Sequence, residues 1–112
     1  MTAPQTVADV LDAAADLIEP EGAWGQGAFA RGSQGQPIGL FSPYATCFCL
    51  RGALVRVGAI NARAENSPAT LALGFNSSSR LVSWNDAPGR TQSEVVAALR
   101  AAATSARQGE TK

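Results

Sequence analysis

The chain is 112 residues long, 46% apolar and 16% charged, a composition that folds as one compact globule. Nine Lys and Arg balance nine Asp and Glu, which removes the general electrostatic case for nucleic acid or an anionic membrane. The absence of histidine excludes Ser-His-Asp and Cys-His catalysis, HExxH zinc sites and histidine pH switching.

Met1 to Gln5 is a polar lead-in, after which Thr6 is an N-cap with Asp9 three residues on, a relative of the capping box. Val7, Val10, Leu11, Ala14, Leu17 and Ile18 keep helical spacing and face a core, while Asp9, Asp12, Asp16 and Glu19 face water. Those acidic residues also argue against a signal peptide, and no uncharged stretch approaches the roughly 20 apolar residues of a membrane span. A cytoplasmic protein is expected. Pro20 and Gly22 end the helix. From Gly22 to Leu40 seven of nineteen residues are Gly or Pro, so the helical period is lost. Ala28–Arg31 and Gln36–Leu40, joined by 32–35, read as a short β-hairpin or an ordered Gly-rich loop.

Ser42-Pro43 is a helix-start signal, predicting a second helix from Tyr44 to about Ile60 with Cys47, Leu50, Leu54 and Val57 at helical spacing. Cys47 and Cys49 are the only two cysteines. On that helix they point about 200° apart, so the reading is buried thiols rather than a disulfide or a metal site. Ser67-Pro68 repeats the start signal before a short helix, Ala69–Leu73, stopped at Gly74. Residues 76–79 read as a polar loop, and Leu81–Trp84 as a helical turn or an extended piece. Thr91-Gln92-Ser93-Glu94 is a full capping box after the turn Ala87-Pro88-Gly89, and it opens a last helix running to about Ala106. Val95, Leu99, Ala102 and Ala106 form its buried stripe, with Arg100, Thr104 and Arg107 on the outer face.

The fold class expected is mainly α: a compact single-domain bundle of about four helices over residues 6–106, with flexible tails at 1–5 and 107–112. Its core is expected to hold Val10, Leu17, Cys47, Leu50, Leu54, Leu73, Val95 and Leu99.

Charge is uneven along the chain. Residues 1–30 carry five acidic groups and no basic one, and residues 31–112 carry nine basic and four acidic. Either the acidic first helix lies against Arg-bearing elements, or an exposed patch of some of Arg51, Arg56, Arg63, Arg80, Arg90, Arg100 and Arg107 meets an acidic partner. The densest polar cluster, Trp84 to Thr91, delivers a loop into a helix N-terminus, where free N–H groups and Arg90 suit an anion. Against that, Asn85 and Asp86 are turn formers, and Arg90 is able to pair with Asp86. Trp24, among Gly22, Gly25 and Gly27, either stacks on a ligand or covers the core.

Four segments carry a resemblance: Thr6–Leu11, Ala23–Arg31, Cys47–Leu54 and Trp84–Thr91 with Glu94-Val95. Together they resemble a family of small proteins without an assigned function, from bacteria, especially actinobacteria and proteobacteria, and their phages. The likeness spans about residues 6–103. Its most specific part is the block from Trp84-Asn85-Asp86 to Arg90-Thr91. Members often have tryptophan where this chain has Phe48 and histidine where it has Gln92, so histidine chemistry in relatives does not operate here. The resemblance implies a single cytosolic domain in a phage or mobile-element setting.

By elimination, the function expected is a non-enzymatic protein-binding or regulatory accessory protein acting on a host or phage protein. The alternative is a small enzyme or ligand-binding protein using the Asn85-Asp86-Arg90 loop. Candidate binding residues are Trp24, Asn85, Asp86, Arg90 and Arg100. No catalytic residue, metal ligand or cofactor is assigned; a protein partner is favoured over nucleic acid or a membrane, and monomer and homodimer both stay open.

Overall fold

A computed structural model describes residues 6–58 and 68–110. The described elements run α1 (Val7–Ile18), β1 (Ala30–Arg31), β2 (Cys47–Phe48), α2 (Leu50–Arg56), α3 (Pro68–Ala72), α4 (Ser78–Asn85) and α5 (Gln92–Glu110). Among the described residues the fold is mainly helical, as the periodicity and the capping signals predict, with one short antiparallel strand pair. No helix among the described residues is long and apolar enough to cross a membrane.

α1 starts where its box predicts. The Asp9 N–H donates to Thr6 Oγ1 (3.1 Å), and the Thr6 N–H donates back to Asp9 Oδ2 (3.5 Å). Its buried face is Ala8, Leu11, Ala14, Ala15 and Ile18, rotated from the predicted stripe so that Val7, Val10 and Leu17 are only half-buried against the core. α1 packs chiefly along α5, which contributes Val95, Leu99, Ala102 and Ala103. Both faces mix alanines with larger residues, Leu11 and Ile18 on α1 and Val95 and Leu99 on α5, so that the large side chains have small neighbours to pack against. Of the predicted core, Leu50, Leu54, Val95 and Leu99 are buried, whereas Cys47 and Leu73 are half-buried.

The predicted second helix is corrected at its start. Tyr44 to Phe48 is not helical: Ser42-Pro43 opens a turn, with the Tyr44 N–H donating to Ser42 Oγ and the Ala45 N–H to the Ser42 carbonyl. Cys47-Phe48 then pairs with Ala30-Arg31 in the register Ala30↔Phe48 and Arg31↔Cys47. Cys49, in extended backbone, is the true N-cap of α2. Pairing with a distant strand outweighs a local serine cap here, because it satisfies several backbone groups in a part-buried segment. The predicted end at Ile60 lies outside the described residues.

The 28–40 segment keeps its turn, with the Gly32 N–H donating to the Gln36 carbonyl and a single bridge between Arg31 and Pro37. The strand partner of Ala30-Arg31, however, is Cys47-Phe48 rather than Gln36–Leu40. Residues 78–85, predicted as loop plus an unassigned piece, form a two-turn helix capped by Ser77, whose Oγ accepts from the Arg80 N–H. α3 ends at Ala72 just before Gly74, as expected, and Ser67 lies outside the described residues. α5 begins at its predicted box and runs past Ala106 to Glu110.

Gly52 lets α2 lie against Phe29, the residue before β1. A Cβ there would stand 2.0 Å from the Phe29 carbonyl oxygen, so only glycine permits this approach.

Candidate functional site

The C-terminal end of α4 meets the 23–29 segment and the start of α2, and Asn85 joins all three. Its side chain is fully buried. Oδ1 accepts from the Trp24 indole Nε1 (2.7 Å) and from the Leu50 N–H (3.0 Å). Nδ2 donates to the Gly25 carbonyl (3.2 Å) and to Asp86 Oδ1 (2.9 Å). Both donors and both lone pairs of the amide are therefore used inside the fold. Gln26 strengthens the same junction, its Nε2 donating to the Asn85 carbonyl at the end of α4 (2.9 Å) and to the Ala87 carbonyl just beyond it (3.0 Å), which also accepts from the Arg90 N–H.

Asp86 follows on the surface. Its Oδ1 accepts from Asn85 Nδ2 and from the Gly27 N–H (3.2 Å). The predicted Arg90–Asp86 pair does not form. Arg90 lies instead on the Trp84 ring, 4.0 Å from its centroid, with Nε donating to the Trp84 carbonyl and Nη1 3.7 Å from Glu94. The indole face gives the guanidinium a stacking surface beside the Trp84 carbonyl at the negative end of α4, whereas the exposed carboxylate offers an acceptor without a stacking surface.

Arg100 is elsewhere and not on an outer face. With Arg107 it lies across α1, donating to Asp12 Oδ1 (2.9 Å), Asp16 Oδ1 (2.6 Å) and Glu19 Oε1 (3.0 Å). Arg107 reaches Asp12 Oδ2 (2.6 Å) and Asp9 Oδ1 (3.3 Å). Four of the five acidic groups in the N-terminal 30 residues are thus paired within the fold, by two of the arginines. Partial burial alone would raise the Asp12 carboxyl, but hydrogen bonds from both arginines, with their charge, hold it below the usual carboxylate value. The Arg100 guanidinium is pushed up by its bonds to Asp16 and Asp12.

Of the five predicted site residues, Trp24, Asn85 and Asp86 meet; Arg90 stands beside them through Trp84, and Arg100 belongs to the helix seam. The junction borders a pocket of about 250 Å³ lined by Gly27, Ala28, Phe29, Cys49, Val82 and Asp86. Phe29 is 47% exposed at this site. The Arg51 guanidinium, itself largely buried, stands 5.8 Å from the Phe29 centroid.

Cys49 Sγ accepts from the Gly52 N–H (3.2 Å). Burial pushes its thiol up, and the Asp86 charge pushes the same way against those backbone bonds. Burial also raises Cys47, with Arg31 opposing. Both thiols stay protonated near neutral pH, so neither is poised as a nucleophile. Among the described residues, Asp86 is then the only charged group on the pocket wall. Among the described residues no group of three or more Cys, Asp and Glu side chains is placed to hold a metal ion.

Sequence reasoning missed Phe29, Val82 and Cys49 as pocket walls and Gln26 and Gln92 as caps. Gln92 Nε2 donates to the Ile18 and Pro20 carbonyls (2.6 and 2.7 Å), closing the C-terminus of α1 from 74 residues away. The motif at 84–91 pointed to the right place but not to these partners, because no local pattern marks a glutamine that caps a distant helix.

No curated protein and no solved structure matches the chain. Residues 2–105, nearly its whole length, match the family described as a family of unknown function, DUF6197, and the protein belongs to that family.

Proposed function

We propose that the protein is a non-enzymatic, cytoplasmic binding protein of bacterial or phage setting that engages a protein partner through the face around Phe29, Val82 and Asp86. The observation that carries this reading is the pocket itself: apolar walls, a half-exposed aromatic at its side and one carboxylate held in place from within. A volume of about 250 Å³ suits a single side chain rather than a nucleotide-sized ligand, since drug-sized ligands occupy roughly 300–1,000 Å³. Protonated thiols and the absence of histidine speak against a catalytic use of the same pocket. The loop-based enzyme alternative loses ground as well, because Asn85 is fully engaged and Arg90 lies on Trp84. Phe41 and Tyr44, 66% and 74% exposed, add apolar surface on the turn after Leu40. The Arg56 guanidinium holds that turn by donating to the Leu40 and Ser42 carbonyls. Leu40 packs over the same Gly52 that Phe29 borders.

Affinity capture from the native host, comparing wild type with Phe29→Ala, tests the reading. A protein retained by wild type and lost with Phe29→Ala is the expected result. Equal retention by both forms, or none by either, overturns it.

A further inference from the structure

We infer that the Phe29–Asp86 pocket takes a lysine side chain of the partner; this rests on the binding reading above. Ala28, Phe29 and Val82 offer apolar wall for a four-carbon stem, and among the described residues Asp86 is the only fixed countercharge on the lining. Among the described residues no basic side chain pairs with Asp86, and Arg51, which stands over Phe29, does not line the pocket. The carboxylate is set before any ligand arrives, since Oδ1 is gripped by Gly27 N–H and by Asn85 Nδ2, and Asn85 is itself locked by Trp24, Gly25 and Leu50. A preset acceptor avoids the ordering cost of a free surface side chain.

The same geometry selects lysine over arginine. Two donors already fill the lone pairs of Oδ1, which leaves Oδ2 for an end-on bond. An ammonium needs only one such oxygen, whereas a guanidinium gains most from gripping both. An uncharged stem of equal length would fill the pocket but leave Asp86 without a counterion.

Amide-resolved NMR titration of the full chain tests this with three blocked amino acids: Nα-acetyl-lysine N-methylamide and its norleucine and arginine counterparts. The expected result is saturable shifts at Gly27, Ala28, Phe29, Val82 and Asp86, with lysine binding about tenfold more tightly than norleucine. Arginine should fall below lysine. Asp86→Asn, whose amide oxygen is still able to accept from Gly27, should erase the preference for lysine over norleucine, and Val82→Phe should abolish binding of all three. Equal affinity for lysine and norleucine in the wild type, arginine binding best, or no shifts at these amides overturns the proposal whether or not the variants fold. If Phe29→Ala abolishes partner capture while the lysine probe fails to bind, the binding face stands and the lysine assignment falls. If the probe binds as expected while partner capture survives Phe29→Ala, the pocket chemistry stands and the wider binding reading falls.

Discussion

The indole nitrogen of Trp24 donates to the Oδ1 of Asn85 at 2.7 Å, joining two residues 61 positions apart, and the same oxygen holds the Leu50 N–H at the start of α2. A single buried amide therefore fixes the angle between α4, α2 and the glycine-rich segment. Its polar atoms all have partners, which is what makes a buried amide tolerable.

Asn85→Ala should destabilise the protein by about 2–4 kcal/mol, because it strands the Trp24 and Leu50 N–H groups away from water. Asn85→Leu, which restores side-chain volume but no acceptor, should be as unstable as the alanine form. Urea unfolding followed by tryptophan fluorescence measures both. If leucine rescued the loss, packing rather than hydrogen bonding would be the cause.

Gln92 should count for α1 as much as for its own helix. Gln92→Ala should cost about 1 kcal/mol through the opened α1 carbonyls. Gln92→Glu should cost more, since a carboxylate would face the negative end of the α1 dipole. Thermal unfolding at pH 7 ranks the two, and a glutamate form at least as stable as alanine would contradict the capping role.

Gly52→Ala gains intrinsic helix propensity of about 1 kcal/mol, yet its methyl group would overlap the Phe29 carbonyl at 2.0 Å. Relieving that overlap moves backbone, and overpacking typically costs about 1–3 kcal/mol. The clash should win. The variant should melt lower, with hydrogen exchange accelerated at Cys49, whose N–H donates to the same Phe29 carbonyl.

The α1–α5 seam should make stability fall in acid. The Asp12 carboxyl titrates lower in the folded chain than in the unfolded one, so it contributes stability above the unfolded carboxylate value of about 3.9. That contribution fades as pH drops from there through the lowered folded value. Melting temperatures from pH 7 to 2.5 at constant ionic strength should decline mainly below about pH 4. Asp12→Asn should start lower at pH 7 and decline less steeply. A parallel decline in the two proteins would remove Asp12 from the account.

The sequence determined what depends on neighbours a few residues away. Thr6 with Asp9 and Thr91 with Glu94 set the starts of α1 and α5 because a capping box closes within one turn. The apolar period of α5 marked Val95 and Leu99 as core, and the uneven charge offered α1 as a partner for arginines as one of two readings, between which the structure chose. Tertiary structure decided the rest. Ser42-Pro43 carries a local start signal, but Cys47-Phe48 found better backbone partners at Ala30-Arg31, and the cap moved to Cys49. Arg90 had a nearby carboxylate in sequence and took the Trp84 ring and carbonyl instead. Asn85 reads as an ordinary turn residue until Trp24 and Leu50 arrive from elsewhere in the chain. Its burial, and with it the fixing of Asp86 beside the Phe29 pocket, depends on contacts between distant segments, which no local pattern of residues encodes.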